Sequence, residues 1–205
     1  MAHLPTGFVL ESPPWLADAL AELPDALPTP EDRIRASNRL ALRNIEEGTG
    51  GPFAAVVTEA PDGLVVSAGV NLVLHSGLSA MHAEVVALQL AHTATGGWDL
   101  GAGGARRRLS INAQPCVMCL GAVIWSGVRA VEFAVGSREV ESLTGFDEGP
   151  VPANWEGELI ARGIDVDDGV LHEESLAVLG EFRRRTADGS AVVYNARATG
   201  KVTPI

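Results

Sequence analysis

Two short motifs limit what this chain can fold into. His82-Ala83-Glu84 opens one apolar-striped helical segment, Pro115-Cys116-Val117-Met118-Cys119 opens another, and each follows directly on an extended stretch. Two such strand-to-helix junctions bring their helix starts to one point when the strands share a sheet. The spacing of Cys116 and Cys119 sets both sulfurs on one side of a first helical turn, where free amide groups and the helix dipole favour thiolates. These are the only two cysteines in 205 residues, so no disulfide framework is available. The pair points to metal or redox chemistry in a reducing compartment.

The segments around the motifs can be placed from turn and cap signals. Six of the twelve prolines fall at positions 5, 13, 14, 24, 28 and 30, around a short helix-compatible stretch at 15–23. Proline at that density prevents a long regular element, so residues 1–29 are expected to form an arm packed on one domain spanning 30–205. Thr29 is placed to cap a helix with Pro30 at its first position and Glu31 and Asp32 in its first turn; Ile34, Leu40, Leu42 and Ile45 give it a buried face, and Gly48 ends it. Residues 53–58 and 64–74 are rich in valine and leucine and are joined by Pro61-Asp62-Gly63, which predicts a hairpin. A helix over 82–95, a strand over 109–113, a helix over 117–126 and a strand over 130–135 follow. Beyond them lie a loop at 145–155, a helix, a strand near Ile164 and a long final helix. This order implies an α/β protein with a mixed sheet between helices.

Taken alone, Cys-x-x-Cys reads as a redox dithiol or half of a structural zinc site, and an isolated His-x-Glu carries little information. Together they point to a catalytic zinc site. His82, Cys116 and Cys119 offer three donors, no third cysteine exists to close a four-cysteine site, and the fourth position is left for water. Zinc lowers the pKa of such a water to about 7. Glu84 lies two positions past the histidine, so its carboxyl group can stand beside the water and carry protons to a ring nitrogen and to departing ammonia. His-x-Glu followed by Pro-Cys-x-x-Cys is the pattern of zinc deaminases. The expected cofactor is one catalytic Zn2+ per chain, and the expected reaction is hydrolysis of an exocyclic amine from a small heterocyclic base.

On these motifs the chain resembles the cytidine deaminase superfamily over roughly residues 34–197. Gly51-Pro52-Phe53, the segment at Asn71, Met81-His82-Ala83-Glu84, and Pro115-Cys116-Val117-Met118-Cys119-Leu120-Gly121-Ala122 are similar to its guanine deaminase and tRNA adenosine deaminase branch. Thr144-Gly145-Phe146-Asp147-Glu148-Gly149-Pro150 and Val193-Tyr194-Asn195-Ala196-Arg197 resemble bacterial guanine deaminases. The resemblance implies a three-layer α/β/α sandwich with a five-stranded mixed sheet, a homodimer, and conversion of guanine to xanthine plus ammonia. It further implies that Asn71 hydrogen-bonds the ring edge, Phe53 stacks on the base, and the Ala83 backbone amide contacts the base near the metal. Glu148 becomes a second catalytic carboxylate and Asp147, beside it, a substrate contact. Cytosine or an aminotriazine such as ammeline is the alternative base; tRNA adenosine editing and a non-catalytic zinc or redox protein stand behind it. Gln114 departs from the pattern, since many relatives carry glutamate there.

The net charge of −11, with arginine runs only at 106–108 and 183–185, lacks the broad basic face that a nucleic-acid substrate requires. No apolar run approaches the ~18 residues of a membrane span, and the amino terminus shows no secretory pattern. The expected setting is therefore cytoplasmic, with neither nucleic acid nor membrane as partner. Trp98, Trp125, Trp155 and Tyr194 are expected in the core or at a dimer contact, and His75, His92 and His172 at the surface or hydrogen-bonded.

Overall fold

In the computed structural model residues 4–198 are described; the first three residues of the expected arm and the last seven of the expected domain lie outside the described residues. The arm carries a short helix, α1 (Pro14–Ala21), which buries Trp15, Leu16 and Ala19. The longest helix, α2 (Pro30–Glu46), starts as its sequence dictates. The Thr29 hydroxyl accepts from the Asp32 amide while the Asp32 carboxylate accepts from the Thr29 backbone, a reciprocal cap.

Five strands, β1 (Ala54–Glu59), β2 (Val65–Val70), β3 (Arg107–Ala113), β4 (Ala130–Val135) and β5 (Asp165–Asp167), form one sheet in the order β2-β1-β3-β4-β5. β1 runs antiparallel to β2 and β3, whereas β3, β4 and β5 are mutually parallel, so the sheet is mixed as expected. Between and beyond the strands come α3 (Val73–Ser76), α4 (Ala83–Thr95), α5 (Val117–Ser126), α6 (Ser137–Thr144), α7 (Trp155–Ile160) and α8 (His172–Ala187). Alternate residues of β1 serve opposite faces. Ala54 and Val56 pack with Leu40, Ala41, Val178 and Phe182 of α2 and α8, while Ala55 and Val57 pack with Ala87, Leu88, Leu120 and Val123 of α4 and α5. The result is helix, sheet, helix. On the second face α4 lies close on β2: a Cβ at Gly69 would stand 2.5 Å from the Ala87 nitrogen, so glycine is what lets the helix that begins at His82 seat against the sheet.

The structure departs from the sequence expectations in three places. The expected strand at 64–74 ends at Val70, and residues 73–76 turn into α3, so Asn71 sits just past the strand. Helix α6 was not foreseen, because Val140 and Thr144 are its only buried residues and its apolar stripe is too thin to read. Leu42 is half-buried rather than a full member of the α2 core face. Of the two places expected for Trp98 and Trp125, core or dimer contact, the core is ruled out: they are 83% and 81% exposed, the first in the loop after α4 and the second on the outward side of α5.

One buried feature joins the layers. The Arg33 guanidinium of α2 donates to both carboxylate oxygens of Glu132 on β4 and to the carbonyls of Leu27 and Pro28, and the Ser110 hydroxyl donates to the same carboxylate. Every oxygen and most donors of that pair are satisfied, which is the condition for burying an ion pair. No helix among the described residues is long and apolar enough to cross a membrane.

Candidate active site and metal centre

Strand β3, antiparallel to β1 and parallel to β4, delivers the chain into α5 just after Cys116, and α4 begins just after His82. His82 and Cys116 are the residues that immediately precede their helices, both with extended backbone. The Cys116 Sγ lies 3.5 Å from His82 Nδ1, and one donor atom from each of His82, Cys116 and Cys119 falls within 4.8 Å of the others. A tetrahedral zinc with Zn–S near 2.3 Å and Zn–N near 2.0 Å holds sulfur and nitrogen about 3.5 Å apart, so the donor set fits the ion in both chemistry and spacing.

The site's electrostatics follow from burial beside that donor set. A hydrogen bond from Cys119 and the neighbouring His82 pull the Cys116 thiol down to about 4, and the same partnership with Cys116 pushes Cys119 up. Burial opposes the charged form of His82, but the sulfur of Cys116 and the carboxyl of Glu84 outweigh it and raise that imidazole. Glu84, 6% exposed in the first turn of α4, is pushed up to about 7 by burial and by the Cys116 charge. Glu148, 8% exposed, is pushed up to about 8 for the same two reasons and by Glu84. Two carboxyl groups thus face one thiolate-rich corner with their charged forms disfavoured.

His82, Glu84, Cys116 and Glu148 line a cavity of about 610 Å³ together with Phe53, Asn71, Phe146, Asp147 and Tyr194, a size suited to a small heterocycle, while Cys119 is fully buried. The loop bearing Glu148 is fastened to the metal corner, since the Glu148 carbonyl accepts from the Val117 amide at the start of α5. Phe53 is half-buried at the cavity wall against Phe146, ring centroids 5.5 Å apart. Asp147 lines the same cavity from an exposed position and accepts from the Gly149 amide through its carboxylate. Ala83 is fully buried and does not line the cavity; its backbone amide lies in the first turn of α4. Gln114 accepts from the Ser137 amide and borders the cavity.

Sequence reasoning missed three residues that build this wall. Asn112 of β3 accepts from the Ala54 amide and donates to the Pro52 carbonyl, holding the backbone on both sides of Phe53. Asn44 of α2 donates to the carbonyls of Gly51 and Asn71. Tyr194, expected as a core or dimer aromatic, does pack on the core beside Phe146, but its hydroxyl also reaches Asn71. Neither asparagine stands out along the chain, since Asn44 lies between Arg43 and Ile45-Glu46 and Asn112 between Ser110-Ile111 and Ala113-Gln114. His75, His92 and His172 stay outside the site: His92 bonds the Gly97 carbonyl and His172 pairs with Glu139.

A sandwich sheet that sets one histidine, two cysteines and a buried carboxyl group at paired helix starts is the arrangement used by zinc-dependent deaminases. The chain belongs to that family: residues 29–135 match the cytidine and deoxycytidylate deaminase zinc-binding region. A guanine deaminase of Bacillus subtilis is 33% identical over 118 residues, covering 58% of this chain and 71% of its own. The solved structure of guanine deaminase from Nitrosomonas europaea is 44% identical, with a TM-score of 0.83 over 89% of this chain and 100% of the other. A further solved structure, in complex with 2,6-diaminopurine, is 45% identical with a TM-score of 0.83 over 93% and 97%. The five-stranded α/β fold, the zinc-binding character and the deaminase class thus stand together.

Proposed function

We propose that this protein hydrolyses guanine to xanthine and ammonia, with His82, Cys116 and Cys119 holding zinc. When bound there, zinc acidifies a water and makes it a nucleophile at neutral pH. The chain's own groups supply the rest. Glu84 takes a proton at the metal corner and delivers it to a ring nitrogen next to the carbon that bears the amine. A carboxyl group held near 7 can both accept and give that proton. Glu148 reaches the same corner from the 146–150 loop and serves the departing amine, Phe53 covers the ring face, Asn71 holds the ring edge, and the Ala83 amide and Asp147 border the base. The observation that carries this reading is the second buried carboxyl group, Glu148, in one cavity with Glu84, His82 and Cys116. Two proton positions suit an amidine-like carbon flanked by ring nitrogens. Relatives solved with 8-azaguanine and with 2,6-diaminopurine support a purine in this place.

A free base is favoured over a base within tRNA by the net charge of −11. We further infer a homodimer in the cytoplasm. Trp98 and Trp125 expose large apolar surfaces on the α4 and α5 side, and two free thiols suit a reducing compartment. Light scattering that returns the mass of a single chain overturns the dimer.

The substrate is tested by following ammonia release from guanine, guanosine, cytosine, adenine and aminotriazines. Guanine is expected to be turned over fastest. Activity on cytosine or a triazine without activity on guanine removes the substrate assignment and leaves the reaction class in place.

A further inference from the structure

Asn71 is 2% exposed, lines the cavity, and is held at both ends. Asn44 grips its backbone carbonyl at 2.9 Å. Its side-chain Oδ1 accepts from the Val73 amide at 3.2 Å and from the Tyr194 hydroxyl at 2.6 Å. A backbone amide can only donate, so the atom facing Val73 has to be the oxygen, and Tyr194 has to donate as well. The Tyr194 oxygen in turn accepts from the Gly51 amide at 3.1 Å, which completes a one-way chain from Gly51 through Tyr194 to Asn71. The Asn71 Nδ2 has no partner among the described residues.

The position of Tyr194 is itself secured. Its ring meets Phe146 edge-on with centroids 4.8 Å apart, and a Cβ on Gly51 would stand 2.7 Å from its hydroxyl. The next residue, Asn195, donates to the Gly145 carbonyl and accepts from the Asp147 amide, pinning the tail to the loop that carries Glu148.

We propose that Tyr194 is a positioning residue that locks the Asn71 amide so that its Nδ2, a donor, faces the bound base. The inference rests on the cavity being the base-binding site argued above. A ligand then has to present an acceptor, a carbonyl oxygen or an unprotonated ring nitrogen, at that edge, and a base presenting an amine there meets two donors. Without the Tyr194 hydroxyl, one longer bond from Val73 is left to hold the amide, and Oδ1 is free to turn toward the cavity.

The test is a double-mutant cycle of Tyr194→Phe and Asn71→Ala in zinc-loaded enzyme, measured on whichever base the wild type deaminates fastest. Tyr194→Phe keeps the ring and its packing on Phe146. It is expected to lower kcat/KM about tenfold, mainly through KM, the size of one well-placed hydrogen bond. In the Asn71→Ala background the same change is expected to matter less than about twofold, because its target is gone. Additive losses, or a Tyr194→Phe enzyme equal to wild type, overturn the proposal. Asn71→Asp, which has no donor when ionised, is expected to be as poor as Asn71→Ala; wild-type activity there overturns the donor assignment. The cycle does not depend on guanine being the base, so failure of the substrate reading shows separately in the choice of base. A second readout needs no turnover: the side-chain amide resonances of Asn71 should shift or broaden in Tyr194→Phe, and unchanged signals contradict the lock.

Discussion

The metal corner and the base wall of this cavity are built in opposite ways. The corner draws its three donors and Glu84 from two short runs, residues 82–84 and 116–119, at the starts of α4 and α5. The wall gathers Phe53, Asn71, Glu148 and Tyr194 from four separated segments, held by bonds such as the Tyr194 to Asn71 contact across 123 positions. The metal corner is thus encoded locally, whereas the second carboxyl group and the base contacts are products of the assembled fold. Changes at the corner should therefore abolish chemistry outright, and changes at the wall should slow turnover or alter which base is used and how tightly.

The largest effect is expected from Cys116→Ala, which removes one of three donors. Zinc content and ammonia release should both fall to background while the circular dichroism spectrum keeps its sheet and helix bands. An active, zinc-containing variant breaks the contrast at its stronger end. Next comes the frame that holds both parts in register. Arg33→Met leaves the Glu132 carboxylate in the middle of the sheet with only Arg108 at 3.5 Å as a cationic neighbour. Denaturant unfolding should show a loss of about 3 kcal/mol. Combining it with Glu132→Leu should restore much of that loss, since no buried charge is then left uncompensated.

Smaller again is Glu148→Gln, which should lower kcat about 10- to 100-fold with zinc content unchanged. If it instead releases zinc, Glu148 belongs to the corner rather than to the wall. The smallest effect lies on α8, the helix from which the tail bearing Tyr194 emerges. Hydrogen bonds from Arg184 and Arg185 hold the Glu181 carboxyl down at about 2. A carboxyl depressed on folding adds stability that is present above its unfolded value, near 4.5, and is lost as pH falls through about 2. Because the group is exposed the contribution is slight and screened by salt. Melting curves of Glu181→Gln should depend less on pH in that window than those of the wild type.

The sequence revealed most where function depends on neighbours along the chain. The metal donors and Glu84 were readable because a helix start converts spacing into position, and the caps at Thr29 and Gly96 follow equally local rules. Asn71 was placed one step wrong, on a strand, because its surroundings are as apolar as a strand interior. Helix α6 escaped because six of its eight residues are not buried. Nothing along the chain marks Arg33 and Glu132 as partners, and their pairing across 99 positions exists only once α2 crosses the sheet. Tyr194 looked like packing material, since no pattern near residue 194 tells where its hydroxyl ends up.

The reaction as argued cannot proceed without the Glu84 carboxyl at the metal corner, and Glu84→Gln is the sharpest probe of that requirement. The amide keeps the size of the buried side chain but cannot carry a proton. Zinc content, melting temperature and ammonia release should be measured on one preparation. The account predicts full zinc occupancy, an unchanged fold and turnover reduced by at least about 100-fold. A variant that retains both zinc and near-wild-type turnover contradicts it.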